Sequence, residues 1–242
     1  MAKRPIKELD IEAREEFKTG ATKKKFTVKD MNALSALTET QRELFIQWNE
    51  DKSMLVTGSA GTGKSLLCLW LGLRDVLDEN ISYENLTIIR SIVPSREIGF
   101  TPGTVDEKIK IYESPYVSIC NHIFSYAKSY ENLKRGGYLT FESTSFLRGT
   151  TIDNSVIIVD ELQNLSWHEC NTVMTRVGNN SKIIFIGDDK QTDLTKKNDT
   201  SGFKEFVNIL NRMKSIERVV FTPNDVVRSG IVKEYLKTLE GY

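Results

Sequence analysis

The sequence predicts an α/β fold, a three-layer domain in which helices cover both faces of a mainly parallel sheet. The first observation is a glycine-rich stretch, GSAGTGKS at 58–65, which stands between two apolar runs, SMLVT and LLCLWL. The second is a pair of almost continuous apolar runs, VIIV at 156–159 and IIFI at 183–186, that lead into acidic residues. Continuous hydrophobicity is typical of parallel strands buried on both faces, and we expect five or more strands.

The glycine-rich stretch carries the full G-x-x-x-x-G-K-[ST] pattern of a phosphate-binding loop, in the strand–loop–helix setting that the pattern requires. Its glycines allow backbone N–H groups to surround a triphosphate, and the helix N-terminus adds the positive end of its dipole. Lys64 is expected to reach the β- and γ-phosphates, and Ser65 to bind Mg²⁺. We therefore interpret the fold as a P-loop NTPase core of the RecA-like type.

A helix is expected to begin near Thr38, whose hydroxyl can cap the amphipathic run that contains Leu44 and Trp48. This helix ends just before the phosphate-loop strand, so Gln41 is placed to contact an adenine edge with an amide that both donates and accepts. A surface glutamine without a ligand is the alternative. The residues predicted to bind the nucleotide are Gln41, Gly58, Ser59, Ala60, Gly61, Thr62, Gly63, Lys64 and Ser65.

Acidic and amide side chains follow the two long apolar runs. Asp160 is expected to serve Mg²⁺, directly or through water, and Glu161 to polarise the water that attacks the γ-phosphate. Gln191 follows the second run and can sense the γ-phosphate or orient water, as glutamine does in GTPases. The predicted metal ligands are therefore Ser65 and Asp160.

Composition argues against several other classes of protein. The 33 lysines and arginines balance the 33 aspartates and glutamates, so net charge predicts no polyanionic partner. No apolar run approaches the roughly 18 residues of a membrane span, and the N-terminus lacks an apolar signal region, so we expect a cytoplasmic protein. The three scattered cysteines, Cys68, Cys120 and Cys170, are expected to be reduced structural thiols.

Two regions lie outside these motifs. Residues 1–35 are expected to form a charged arm that either covers the surface or offers a basic contact to nucleic acid. Residues 36–242 are expected to form a single ATPase domain with an irregular insertion near 104–150. Tyrosines and lysines alternate in this insertion, either as a stacking platform for single-stranded nucleic acid or as the inward-packed face of a helical subdomain. The tyrosines are Tyr112, Tyr116, Tyr126, Tyr130 and Tyr138.

These residues together resemble the PhoH-like family of P-loop ATPases, which are related to the core of superfamily 1 helicases. The matching pieces occur in order from about residue 38 to 235 and cover nearly the whole chain. The chain departs from the family at Leu162, where alanine is usual, and no nuclease domain is attached, so nuclease activity is not expected. The matching pieces are Gln41, the phosphate loop, IGFTPGT at 98–104, FLRGT at 146–150, VDELQN at 159–164, IGDDKQTD at 186–193, SG at 201–202 and DVVRS at 225–229.

The resemblance implies ATP and Mg²⁺ as cofactors, ATP hydrolysis, action on RNA or single-stranded DNA, and in some hosts a link to phosphate starvation. The short form is similar to versions carried by bacteriophages, which would place it in the cytoplasm of an infected bacterium. Two other functions stay open. One is a P-loop kinase, in which a hydroxyl replaces water, and the other is a nucleotide-switched binding module without turnover.

Arg228 completes the residues expected to act in catalysis, with Lys64, Glu161 and Gln191. Superfamily 1 helicases place ATP between two cores on one chain, and the second core supplies an arginine to the γ-phosphate. This chain has room for one core, so we expect a homo-oligomer, preferably a ring hexamer, in which Arg228 serves a neighbour's nucleotide. The alternatives are that Arg228 acts within its own subunit or pairs with Asp225.

Overall fold

Among the residues that the structure describes, six strands form one sheet, and every neighbouring pair of these strands is parallel. The computed structural model describes residues 26–92, 105–147, 149–188 and 202–241, without the side chains of 105–108 and 240. The strands are β1 (Ser53–Gly58), β2 (Asn85–Arg90), β3 (Leu139–Ser143), β4 (Ser155–Val159), β5 (Lys182–Gly187) and β6 (Ile216–Phe221). Their spatial order is β3-β2-β4-β5-β1-β6. The predicted α/β fold is therefore confirmed, with a sheet that is wholly parallel among these strands.

Seven α-helices connect and cover the strands within the described ranges. They are α1 (Glu39–Trp48), α2 (Lys64–Leu77), α3 (Val105–Phe124), α4 (Ser129–Gly136), α5 (Trp167–Met174), α6 (Phe203–Leu210) and α7 (Gly230–Glu240). The predicted cap of α1 is present, because the Thr38 hydroxyl accepts a hydrogen bond from the backbone N–H of Gln41.

The long apolar runs are explained by two hydrophobic layers, one on each face of the sheet. Successive side chains of a strand point to opposite faces. In β4, Val156 and Ile158 therefore join the core layer covered by α1 to α4, whereas Ile157 and Val159 join the layer covered by α5 and α6. A strand that is buried on both sides cannot alternate apolar with polar residues, which accounts for the uninterrupted pattern.

The carboxyl edge of the sheet gathers the chemically important loops. The phosphate loop follows β1, Asp160 follows β4, and Asp188 follows β5. Because β5 lies between β1 and β4, these three strand ends are neighbours in space. Among the described strands, the phosphate loop does not follow a central one, because β4 and β5 are the middle strands and β6 alone lies beyond β1. Parallel α/β sheets bind ligands outside this edge.

The region near 104–150 was predicted to be irregular. This prediction is wrong for the described residues, which include α3, α4 and the edge strand β3. Two features of the sequence made these elements difficult to predict. Pro115 lies inside α3 at an exposed position, and a proline within a helix normally indicates a break. The edge strand alternates buried with half-buried residues, so it lacks the continuous apolar run of the central strands.

The tyrosines of this region do not form an exposed platform. Tyr116 and Tyr130 are buried, and the other three are half-buried and pack against the same core layer. The exposed side chains of this region include cations such as Lys110, Lys128 and Arg135. The inward-packed alternative therefore describes the structure.

The end of the predicted N-terminal arm belongs to the folded unit. Phe26 is buried and packs edge-on against Phe124, and the backbone N–H of Asn32 donates to the carbonyl of Ile123 at 2.7 Å. Residues 1–25 lie outside the described residues. Cys68, Cys120 and Cys170 are all buried free thiols, as predicted.

Across the described ranges, the helices are all too short or too polar to span a membrane.

Candidate nucleotide-binding site

The backbone of the phosphate loop has a shape that depends on its glycines. Gly58, Gly61 and Gly63 all have positive φ angles, of 115°, 72° and 89°. At Gly58 there is also no space, because a Cβ atom would lie 1.8 Å from the carbonyl oxygen of Phe221 on β6. The loop is held to β6 at this point by a hydrogen bond from the Ser59 N–H to the same carbonyl, at 3.2 Å.

The side chain of Lys64 bends back over this loop. Its Nζ donates to the carbonyl oxygens of Gly58 at 2.6 Å and Ser59 at 2.7 Å. Burial lowers the pKa of Lys64, and the nearby carboxylates of Asp188 and Asp160 act in the opposite direction. The ammonium group therefore lies at the mouth of the loop, where phosphate oxygens would be stronger partners than neutral carbonyls.

Two oxygen groups meet beside the loop. The Ser65 hydroxyl, at the start of α2, donates to Oδ1 of Asp160 at 3.1 Å. Within the described ranges there is no cluster of three or more histidine, cysteine or carboxylate side chains able to hold a metal. Mg²⁺ is usually bound by one or two carboxylates together with substrate phosphates, and it prefers oxygen ligands. The pair Ser65 and Asp160 fits that donor chemistry.

Asp160 is held by further partners from two elements. Its Oδ1 also accepts the backbone N–H of Glu161 at 3.1 Å, and its Oδ2 accepts the hydroxyl of Tyr116 at 3.0 Å. Burial, followed by the Asp160 carboxylate, raises the pKa of Tyr116 well above its usual range, so this hydroxyl keeps its proton and donates. Although burial alone would lower the pKa of Arg90, its interactions with the Tyr116 hydroxyl and the carboxylates of Glu161 and Asp160 raise that pKa, so Arg90 stays cationic beside this pair.

Glu161 has a backbone conformation that residues other than glycine rarely adopt. Its φ of 56° and ψ of 44° place it in the left-handed region, two residues beyond the end of β4. The amide of Gln163 donates through Nε2 to the Glu161 carboxylate and accepts through Oε1 from the backbone N–H of Asp188, at 2.9 Å for the second bond. Gln163 therefore joins the end of β4 to the end of β5 and orients Glu161.

One cavity of about 300 Å³ is lined by the phosphate loop, by Asp160 and Glu161, and by Gln163 and Asp188. Arg228 lies on its wall and belongs to the same chain as the phosphate loop. A Cβ atom built on Gly61 would be 3.0 Å from Cγ of Arg228, and the N–H of Val227 donates to the Gly61 carbonyl at 3.2 Å. Arg228 therefore lies beside the phosphate loop of its own chain. Asp225, its other suggested partner, accepts from the Thr222 N–H and hydroxyl.

Gln41 contacts the phosphate loop from outside the cavity. Its Nε2 donates to the carbonyl of Thr62 at 3.0 Å, and its Oε1 accepts the Leu37 N–H at 2.8 Å. Gln41 is 2% exposed and is not among the residues that line the cavity. In this arrangement it braces the loop, and contact with an adenine edge would require its amide to leave these partners.

Several predicted pieces lie outside the described residues. They are Gln191, Ser201, Arg148 and the stretch 98–104.

The side chains of the cavity region that were not predicted as site residues include Tyr116, Ile119, Gln163 and Asp188. Gln163 and Asp188 follow the central strands closely, so the strand-end rule that found Asp160 could have found them. Tyr116 and Ile119 come from α3, which is distant in sequence, and no local pattern marks them. Only the packing of α3 over the carboxyl edge brings them to the site.

Comparison with known proteins shows that this chain matches the model of a protein family. The model of the PhoH-like protein family matches residues 33–240. Protein PhoH2 of Bacillus subtilis (strain 168) is 41% identical over 140 residues, which cover 56% of this chain and 31% of that relative. A PhoH-like protein of the same organism is 29% identical over 229 residues, covering 94% of this chain and 67% of the relative. Protein PhoH of Escherichia coli (strain K12) is 25% identical over 216 residues, covering 88% of this chain and 59% of the relative.

A solved structure shares the fold. The large terminase of a thermophilic bacteriophage superposes with a TM-score of 0.52 in one crystal form and 0.51 in a complex with ADP. Each superposition covers 83% of this chain and 49% of the terminase chain, and the sequence identity is 14%. This chain thus spans between about a third and two thirds of the length of the curated relatives named above.

Proposed function

The chain belongs to the PhoH-like protein family, and from that premise we propose that it is an ATPase that binds ATP with Mg²⁺ and hydrolyses its γ-phosphate. The observation that carries the proposal is the convergence of a cation, two carboxylates and a hydroxyl on one cavity beside the phosphate loop. These groups are Lys64, Asp160, Glu161 and Ser65, and Arg228 adds a second cation on the wall of the same cavity.

The proposed reaction is attack of water on the γ-phosphorus of ATP. The new bond joins the water oxygen to phosphorus, and the bond to the β–γ bridging oxygen breaks, leaving ADP and inorganic phosphate. Glu161 accepts a proton from the attacking water, and Gln163 keeps the Glu161 carboxylate directed at the cavity. Lys64 and Arg228 stabilise the negative charge that develops on the phosphate oxygens.

The metal would be held by Asp160 and Ser65 together with phosphate oxygens. Mg²⁺, when bound, neutralises charge on the β- and γ-phosphates. The hydrogen bond between Ser65 and Asp160 brings both oxygen ligands to the edge of the loop before any nucleotide arrives. Such preorganisation reduces the free energy that ordering the ligands would otherwise cost.

Arg228 is proposed to act on the nucleotide of its own chain. The contacts of Val227 and Arg228 with Gly61 support this assignment, because they bring the guanidinium stem to the loop without a neighbouring subunit. A homo-oligomer, including the ring hexamer, stays a prediction, but arginine donation between subunits is no longer its reason.

Single-stranded RNA or DNA is the proposed partner, on the basis of the resemblance to helicase cores. Since the tyrosines face inward, the contact would rest on charge, and exposed cations such as Lys128 and Arg135 lie at the two ends of α4. Such binding should weaken steeply as salt rises, because it depends on release of counterions.

The test is phosphate release by the purified chain, with Mg²⁺ or with EDTA, and with or without RNA and single-stranded DNA. We expect many turnovers with Mg²⁺ and none with EDTA. Binding of ATP without turnover would overturn the ATPase and favour a nucleotide switch, whereas transfer of phosphate to an acceptor would favour a kinase. Filter binding at low salt tests the partner separately, and a lack of retention for both nucleic acids would remove it.

A further inference from the structure

Tyr116 connects the core of the protein to the carboxylate that faces the phosphate loop. Its hydroxyl donates to Oδ2 of Asp160 at 3.0 Å, while Oδ1 of the same carboxylate accepts the hydroxyl of Ser65 at 3.1 Å. The two carboxylate oxygens of Asp160 therefore have different partners. One is held by α3 and the other is directed at the start of α2.

The position of the Tyr116 hydroxyl is set by the packing of its ring. Tyr116 is 1% exposed, and its ring packs against that of Phe141 on β3, with centroids 5.7 Å apart. One helical turn further along α3, Ile119 lines the nucleotide cavity itself. The hydroxyl is thus presented by a packed helix, and it cannot follow Asp160 if that side chain rotates.

Rotation is the motion that the bond restricts. The terminal torsion of an aspartate side chain has broad, shallow minima, so the carboxylate plane is not fixed by the backbone alone. A hydrogen bond on one oxygen sets this plane and leaves the other oxygen directed at the cavity. Partners of this kind orient metal ligands, and their loss typically costs about 10- to 100-fold in metal affinity.

We infer that Tyr116 is a positioning residue, which holds Asp160 in the orientation that binds the Mg²⁺ of the nucleotide complex. This inference rests on the proposed function. It also links α3, which follows β2 in the chain, to the affinity of the nucleotide site for its metal. If the role of Tyr116 were only to fill the core, its ring would be needed and its hydroxyl would not.

The substitution Tyr116→Phe separates these roles, because it removes the hydroxyl and keeps the ring. The measurement is binding of a fluorescent ADP analogue during a titration with Mg²⁺. We expect the Mg²⁺ midpoint to rise about 10- to 100-fold, and the affinity for the analogue without Mg²⁺ to stay at the wild-type value. Tyr130→Phe is the matched control, since Tyr130 is also buried and its hydroxyl donates to Glu113, away from the cavity. Its midpoint should not move.

A double-mutant cycle adds a second measurement. Because Tyr116 acts through Asp160, Tyr116→Phe should have no further effect on the midpoint in an Asp160→Asn background. Equal midpoints for wild type and Tyr116→Phe would overturn this inference alone. Loss of affinity without Mg²⁺ in Tyr116→Phe would also overturn it, since the residue would then act by packing. A wild-type protein whose nucleotide binding does not respond to Mg²⁺ would overturn the proposed function as well.

Discussion

The side-chain amide of Gln163 donates a hydrogen bond to the carboxylate of Glu161, two residues before it in the chain. This contact is possible because Glu161 adopts a left-handed backbone conformation, after which a short 3₁₀ turn, Leu162–Asn164, brings Gln163 back toward the cavity. The same amide accepts the N–H of Asp188, so the group that would activate water is fixed to two central strands.

Replacing Glu161 by glutamine should abolish hydrolysis while preserving nucleotide binding. The change keeps the shape of the side chain but removes its capacity to accept a proton, and loss of such a group typically lowers the rate about 10²- to 10⁴-fold. Phosphate release and equilibrium binding of ATP are the two measurements. Glu142→Gln, at a half-buried glutamate on β3, is the control and should leave both unchanged. Turnover at the wild-type rate in Glu161→Gln would remove Glu161 from the mechanism.

Replacing Gln163 by leucine should slow turnover with little change in KM. Leucine fills a similar volume but cannot hold the Glu161 carboxylate or the Asp188 N–H. Hydrogen bonds to charged groups are worth about 1.5–3 kcal/mol, which corresponds to a decrease in kcat on the order of 10- to 100-fold. The measurement is kcat and KM from steady-state kinetics. A rise in KM with an unchanged kcat would mean that Gln163 binds substrate instead.

Lys64→Ala should lose nucleotide affinity and turnover together, because in the proposed mechanism the same ammonium group would contact phosphates in the ground state and in the transition state. Binding is measured by calorimetry with ATP, and turnover by phosphate release. The matched control is Lys52→Ala, at an exposed lysine that pairs with Glu217 far from the loop. Undiminished ATP affinity in Lys64→Ala would argue that the phosphates lie elsewhere.

Gly58→Ala should destabilise the fold more than a positive φ angle alone explains. The new Cβ would collide with the Phe221 carbonyl at 1.8 Å, in addition to the backbone strain of φ 115°. Gly137→Ala is a matched control, since Gly137 has a φ of 82° but an added Cβ there meets nothing within 4 Å. Strain alone typically costs on the order of 1 kcal/mol. Urea unfolding should therefore give a larger loss at Gly58 than at Gly137, and equal losses would contradict the clash.

Arg228→Ala should lower turnover sharply in its own subunit, because an arginine at the γ-phosphate accelerates phosphoryl transfer by about 10³- to 10⁵-fold. Arg212→Ala, at an exposed arginine just beyond α6, is the control. The decisive measurement mixes Arg228→Ala with Lys64→Ala subunits. Since Arg228 lies at its own phosphate loop, we expect no activity from the mixture. Recovered activity would mean that subunits share this arginine.

Local patterns were sufficient to predict the central strands and the glycine-rich loop. Strands β4 and β5 are buried on both faces, so their composition alone marks them, and the phosphate loop needs glycines because its backbone reaches positive φ. The edge strand β3 and the bounds of helix α3 could not be predicted, for the opposite reason. One lacks a continuous apolar run, and the other contains Pro115, so neither carries a strong local signal.

By itself, the sequence determined the parallel α/β core, the phosphate loop and the acids at the end of β4, because each of these depends on residues that are adjacent in the chain. Only the tertiary structure decided that Tyr116 contacts Asp160, that Gln41 lies behind the loop, and that Arg228 lies at its own chain's cavity. These contacts join segments that are far apart in sequence. Their geometry depends on how helices pack over the carboxyl edge of the sheet, which no spacing of residues along the chain specifies.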